Sequence, residues 1–281
     1  MKPTSPLQND TSADATPFIN LLGVKVSALN LDAAVGKVRD AIRTGLRGYI
    51  CICGAHGLVD SQSDEGLRAV FNGAFLVTPD GMPLVWELRR RGYPEAGRVY
   101  GPDLMLALFE KGHRAFLYGA TPATLLRLER RLGREFPQTQ IVGSYAPPFR
   151  PLTRGEELDV ARCINKAEPD IVWVGLGAPK QERWMAEMRD RLDASMLIGV
   201  GAAFDFHAGN TQQAPAWVQN AGLEWAFRLG MEPRRLWRRY LRVVPGYLAL
   251  LAMQRTGLRR YPEPVTGPAG QAVLQYPRGR T

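Results

Sequence analysis

The chain has 281 residues, 45% of them hydrophobic, and a formal net charge of +9. That length supports one large or two small domains with a real core and excludes a chain too polar to fold. Three cysteines, Cys51, Cys53 and Cys163, exclude a disulfide framework and fit a reducing compartment. No stretch reaches the ~18–20 apolar residues of a spanning helix, and residues 1–17 lack the apolar segment of a signal peptide, so a soluble or peripheral protein is expected.

Residues 1–17 are rich in Thr, Ser, Asp and Pro and are expected to be disordered. Phe18 to Val26 reads as a strand pair or hairpin. Leu31 to Thr44 carries apolar residues at helical spacing, with Asn30 or Asp32 as its cap. Tyr49 to Cys53 reads as a buried strand, with Gly54-Ala-His-Gly57 as a loop at its carboxyl end. Leu58 to Asn72 reads as helical, Phe75 to Thr78 as a strand, and Pro79-Asp-Gly-Met-Pro83 as a turn into a helix through Arg91. Arg98 to Asp103 is a loop leading into a helix over 104–111. Ala115 to Tyr118 is a strand, and Gly119-Ala-Thr-Pro122 a strand-to-helix turn with Thr121 as N-cap. Gln140 to Gly143 is a short strand, residues 144–152 a Pro-rich loop, and Glu156 to Lys166 a helix.

The chain is organised around residues 171–210. Ile171-Val-Trp-Val174 and Met196-Leu-Ile-Gly-Val200 read as buried strands with a helix between them. The first feeds Gly175-Leu-Gly-Ala-Pro-Lys-Gln-Glu182, and the second Gly201-Ala-Ala-Phe-Asp-Phe-His-Ala-Gly209. Both loops would lie at the carboxyl edge of a parallel sheet, where open α/β folds bind ligands. The Gly177 loop would present free N–H groups to an anion at the following helix N-terminus. The fold class expected is α/β: a Rossmann-like, mostly parallel central sheet flanked by helices, over residues 18–213. Residues 214–260 form a helical, Arg- and Trp-rich appendage, and 261–281 a disordered tail. From Arg228 to Arg260 there are nine arginines against one acid, Glu232, which implies phosphate-bearing partners. Aromatics and arginines alternate there as in an amphipathic interfacial helix pair, or equally in a core-packed hairpin with a basic outer face. The longest apolar run, Val243 to Met253, is interrupted by Pro245 and Gly246.

Asp80 ends a strand and precedes a helix, so it is either a general base above the sheet edge or an N-cap. Gln181 suits sugar hydroxyls or phosphate oxygens, and Lys180 and Glu182 share its first helical turn, which on the plainer reading is exposed. Gly199-Val-Gly-Ala-Ala-Phe204 is a weak dinucleotide fingerprint, because Phe204 stands for its third glycine. Asp205 reads as a ribose ligand or a turn cap. Asp205 and His207 lack a third metal ligand, and there is no Asp-x-Asp pair for a divalent ion on a nucleotide diphosphate. Arginines and helix N-termini would then take a leaving diphosphate's charge.

Thr78-Pro-Asp-Gly-Met-Pro83, Arg98-Val-Tyr-Gly-Pro-Asp103, Gly175 to Glu182, Gly199 to Asp205 and Gly222-Leu-Glu-Trp-Ala-Phe-Arg228 together resemble the WecG/TagA/CpsF glycosyltransferases, in order and with similar spacing. The resemblance implies transfer of a sugar from a nucleotide donor, UDP in this expectation, to a polyprenyl-diphosphate-linked acceptor in cell-surface polysaccharide assembly. It further implies inversion at the anomeric carbon, no metal or other cofactor, and work at the inner face of the cytoplasmic membrane. By position it makes Asp80 the base, with Arg98 and Gln181 as further catalytic residues. Substrate contacts are expected from His56, Thr78, Gly119, Gly177, Lys180, Glu182, Phe204 and Asp205, and from the appendage arginines Arg228, Arg235 and Arg238. Where the family often shows a Thr-x-Asn loop this chain has Cys53-Gly-Ala-His56, so either His56 supplies that contact or acceptor recognition differs. The expected partners are therefore a nucleotide sugar, a lipid-linked acceptor and an anionic membrane surface, without nucleic acid; a homo-oligomer is left open. The alternative is a non-catalytic, basic nucleotide-sensing protein that docks on membrane or nucleic acid.

Overall fold

The computed structural model describes residues 16–264. An antiparallel hairpin, β1 (Phe18–Leu21) and β2 (Val24–Ser27), leads into α1 (Leu31–Thr44), β3 (Gly48–Cys53), α2 (Ala55–Asp60), α3 (Glu65–Gly73) and β4 (Leu76–Pro79). There follow α4 (Met82–Arg90), α5 (Gly101–Phe109), β5 (Arg114–Gly119), α6 (Pro122–Glu135), β6 (Gln140–Tyr145), α7 (Arg154–Ala167) and β7 (Ile171–Gly175). The chain continues through α8 (Lys180–Met188), β8 (Met196–Gly199), α9 (Ala203–His207), α10 (Ala216–Asn220), α11 (Glu224–Met231) and α12 (Pro233–Arg255).

Six strands form one parallel sheet in the order β4-β3-β8-β7-β5-β6. Alternation along each strand sends side chains to two separate cores. On β7, Val172 and Val174 join α3, α7 and α8 on one face, while Ile171 and Trp173 join α1, α5, α6 and α9 on the other. The expected Rossmann-like α/β architecture is therefore present, with every carboxyl strand end on the same edge.

Local chemistry sets the helix ends. Asn30 accepts from the Ala33 N–H to start α1, Thr121 caps α6, and Thr153 with Glu156 forms a reciprocal capping box on α7. Two expectations are corrected. Gly54 to Gly57 is not a loop: Gly54 is the N-cap of α2, so His56 sits in a helical first turn. Leu58 to Asn72 is not one helix either, since α2 ends at Asp60 and Asp64 caps a separate α3. The last helix, α12, runs for 23 residues with Pro245 inside it. Proline costs that helix a backbone donor, but Val243, Tyr247 and Leu251 are buried against the body of the protein. Burying each such side chain is worth about 1.5–3 kcal/mol, enough for packing to override local propensity.

Glu87 of α4 ties the same helix down. Its side chain is fully buried and pairs with Arg90 and Arg91 of α4 and with Arg255 of α12. Beyond α12, Asn20 donates to the carbonyl oxygens of Tyr261 and Pro262. The rest of the expected tail, 265–281, and residues 1–15 lie outside the described residues. Among the described residues no helix is long and apolar enough to cross a membrane.

Candidate active site

The carboxyl ends of β4, β3, β8 and β7 lie side by side on one edge of the sheet, and α10 and α11 reach the β4 end of it through Gln219 and Glu224, which bond Arg98. Asp80 follows β4 directly, with its N–H bonded to the Cys53 carbonyl at the end of β3. The N-cap of α4 is Gly81, and no side chain caps that helix, so Asp80 is not spent on capping. Its Oδ1 has no hydrogen-bond partner, although Arg98 Nη2 stands 3.6 Å away as an ion pair. Burial, the largest influence, raises the Asp80 pKa to about 6. Arg98 and Arg228 pull it down, and Glu224 pushes it up. A carboxylate poised there is ionised at neutral pH yet basic enough to take a proton.

Arg98 holds this corner together. Its Nε donates to the Asp80 carbonyl, Nη1 donates to Gln219 Oε1 at 2.6 Å, and Nη2 donates to Glu224 Oε2. The guanidinium carbon lies 4.0 Å from the centroid of the Tyr100 ring. His56 shares the corner: a Cβ placed on Gly54 would lie 3.2 Å from His56 Nδ1 and 3.8 Å from Asp80 Oδ2. Burial, then Arg239 and Arg228, lowers the His56 pKa to about 3, so the imidazole is neutral. Thr78 lies one residue before the end of β4, buried, with Oγ1 unpartnered.

The β7–α8 loop forms the adjoining wall. Gln181 and Glu182 are buried, against the plainer reading of an exposed first turn, whereas Lys180 is exposed. Gln181 Oε1 accepts from the Gly177 N–H at 3.1 Å, and Nε2 donates to Glu182 Oε1 at 3.2 Å. The amide is thus committed to shaping the loop, in which Gly177 takes φ +78°. Burial raises the Glu182 pKa to about 7, and its Oε2 has no partner. Gly119, at φ +127°, lets β5 pass β7 so closely that a Cβ would fall 2.5 Å from the Gly175 oxygen.

Two candidates on the β8 side divide. Phe204 is buried, with its ring against Gly175, and so forms the floor of the edge. Asp205 is exposed and accepts from Asn210 Nδ2 at 2.9 Å. His207 is buried with Nε2 at 3.1 Å from the Pro102 oxygen. Among the described residues no three metal-ligating side chains cluster.

The appendage arginines divide as well. Arg228 reaches over the Phe206 ring and acts electrostatically on Asp80 and His56. Arg238 is exposed and lies over Trp237 on the outer face. Its neighbour Arg239 is the one whose charge is felt by His56 and Glu182. The side chain of Arg235 lies outside the described residues. Sequence reasoning missed Arg239, Gln219 and Glu224. Glu224 stood inside a quoted motif, and an acid in so basic a segment was the available signal.

The family profile described as "Glycosyl transferase WecG/TagA/CpsF family" matches residues 19–261. The chain is similar to two proteins named N-acetylglucosaminyldiphosphoundecaprenol N-acetyl-beta-D-mannosaminyltransferase. One, from Bacillus spizizenii, is 32% identical over 204 residues, which cover 71% of this chain and 77% of the relative. The other, from Bacillus subtilis, is 31% identical over 205 residues, or 72% and 78% of the two chains. A profile match over nearly all the described residues, with relatives at this identity and coverage, makes the chain a glycosyltransferase of the WecG/TagA/CpsF family.

Proposed function

We propose that the protein transfers a sugar, with inversion, from a UDP-sugar to a saccharide on a polyprenyl diphosphate, using Asp80 as general base. The observation that carries this reading is Asp80 itself: a carboxylate whose Oδ1 makes no hydrogen bond, with a pKa near 6 at the sheet edge, not engaged as a cap. In the step proposed, the acceptor hydroxyl oxygen attacks the anomeric carbon as Asp80 takes its proton. The bond from that carbon to the diphosphate breaks, and the nucleoside diphosphate leaves with the electron pair. Arg228 and Arg239, the appendage cations that act on this corner, meet the charge on the leaving group. His56, neutral beside Asp80, serves the acceptor side.

The names of the relatives favour N-acetylmannosamine as the sugar and N-acetylglucosaminyl diphosphoundecaprenol as the acceptor. Exposed Trp237, Leu241 and Leu248 on α12, with the arginines around them, favour peripheral work on an anionic membrane surface. The test is a panel of nucleotide sugars with that acceptor in EDTA, scoring nucleoside diphosphate and glycolipid. Product with UDP-N-acetylmannosamine supports the reading. Product that needs a divalent ion would overturn metal independence, and silence across the panel from folded protein on anionic membranes would overturn the proposal.

A further inference from the structure

Glu224, in the first turn of α11, holds one arm of Arg98, and Gln219, in α10, holds another. The third nitrogen of that guanidinium is bound to the Asp80 carbonyl. Side-chain exposure is 14% for Arg98 and 17% for Glu224, so the pair is shielded from the solvent that makes most surface ion pairs weak. Three of the five N–H donors are committed in this way, and Nη2, which holds Glu224, also stands 3.6 Å from Asp80 Oδ1.

We propose that Glu224 is a positioning residue for sugar transfer: it holds Arg98 against Asp80, so that the base reaches its working geometry only when α10 and α11 are docked. This inference rests on the reading of Asp80 as the base. It assigns Arg98 to the base, and leaves the diphosphate to Arg228 and Arg239.

The groups facing Asp80 come from several elements. They are His56 of α2, Cys53 of β3, Arg98 and Tyr100 before α5, and Glu224 and Arg228 of α11, with Asp103 of α5 acting on Arg98 and Glu224. Cys53 and Tyr100 are held protonated by burial, and His56 is neutral. The active balance at Asp80 is therefore between Arg98 and Arg228, which make it more acidic, and Glu224, which makes it less so. Glu224→Gln removes the like charge while its amide oxygen still accepts, more weakly, from Arg98 Nη2, so Asp80 becomes more acidic. A merely loosened site would do the same by letting water in. Gln219→Glu separates the two readings, because it adds a carboxylate on Arg98 Nη1 and moves Asp80 the opposite way.

The experiment measures kcat/KM against pH for the full chain with nucleotide sugar and lipid-linked acceptor, in wild type, Glu224→Gln and Gln219→Glu. The wild-type acid limb is expected near pH 6. Glu224→Gln should move it down by about half a pH unit or more, and Gln219→Glu should move it up by a similar amount. In Glu224→Gln, kcat should fall about tenfold with the donor KM little changed, because Glu224 acts through Arg98 and not on the donor. Acid limbs that coincide in all three proteins, while Asp80→Asn abolishes turnover, overturn the role of Glu224 and leave the base in place. Asp80→Asn with near wild-type turnover overturns the reading of the base itself. If Glu224→Gln fails to fold, Glu224→Asp takes its place: it keeps the charge but shortens the reach to Arg98, so kcat should fall with the donor KM little changed, and an unchanged kcat overturns the role.

Discussion

Glu87 gives the sharpest test of how the appendage is held. Desolvation pushes its pKa up, but hydrogen bonds from Arg90, Arg255 and Arg91 outweigh it and bring the carboxyl from its ordinary 4.5 to about 2. A gap of that size corresponds to roughly 3 kcal/mol at neutral pH. The side chains of Arg90 and Arg255 are 52% and 44% exposed, so water screens their share. We therefore expect Glu87→Gln to cost about 2 kcal/mol at pH 7. Because the folded-state pKa lies below the unfolded one, this stabilisation is complete above about pH 4.5 and is lost as pH falls toward 2. Urea unfolding followed by tryptophan fluorescence, at a series of pH values, measures it. The gap between wild type and variant should be full at pH 7 and close on the way to pH 2. No loss at pH 7, or a gap that does not close in acid, would refute the reasoning.

Glu182 predicts the opposite pH dependence. Burial raises its pKa from 4.5 to about 7, so folding favours the protonated acid and the wild type loses stability as pH rises between those values. Glu182→Gln keeps the acceptor for Gln181 and should be more stable than wild type at pH 8, by about 1–3 kcal/mol, yet equal to it near pH 4.5. Thermal melts at the two pH values check this, and a variant less stable at both would refute it. For the membrane reading, truncation at Leu229 is a poor test, because it removes the buried Leu236, Val243, Tyr247 and Leu251. Replacing exposed Leu241 and Leu248 with Ser leaves that packing alone and should weaken binding to anionic vesicles several-fold, with a stronger salt dependence in what remains. Unchanged vesicle binding would remove α12 from the membrane contact.

Much of the fold was legible because its strands are short apolar runs bounded by glycine or proline, and a buried parallel sheet leaves that mark. Where the sequence misled, tertiary packing outweighed a local signal. Gly54 and Gly57 suggested a loop, but a Cβ on Gly57 would lie 3.0 Å from both Cys53 Sγ and Phe71, so that glycine serves close packing of α2 on the strand. Leu58 to Asn72 suggested one helix, but Asp64 caps a new one, and α2 and α3 are separate elements. Asp80, Arg98 and Gln181 stood out as residue types in a motif, but their partnerships did not. Arg98 and Glu224 are 126 positions apart, a separation no periodicity reports. Arg238 and Arg239 are adjacent and chemically alike, and only the rotation of α12 decides which one acts on His56 and Glu182.

The central claim is that Asp80 takes the acceptor's proton. Single-turnover transfer by Asp80→Asn, compared with wild type at pH 7.5 and with folding verified by thermal melt, tests it most directly. The account predicts a loss of about 10²–10⁴ in the transfer rate with donor binding retained, the usual contribution of a positioned base. A folded Asp80→Asn protein that transfers sugar at near wild-type rate would contradict it.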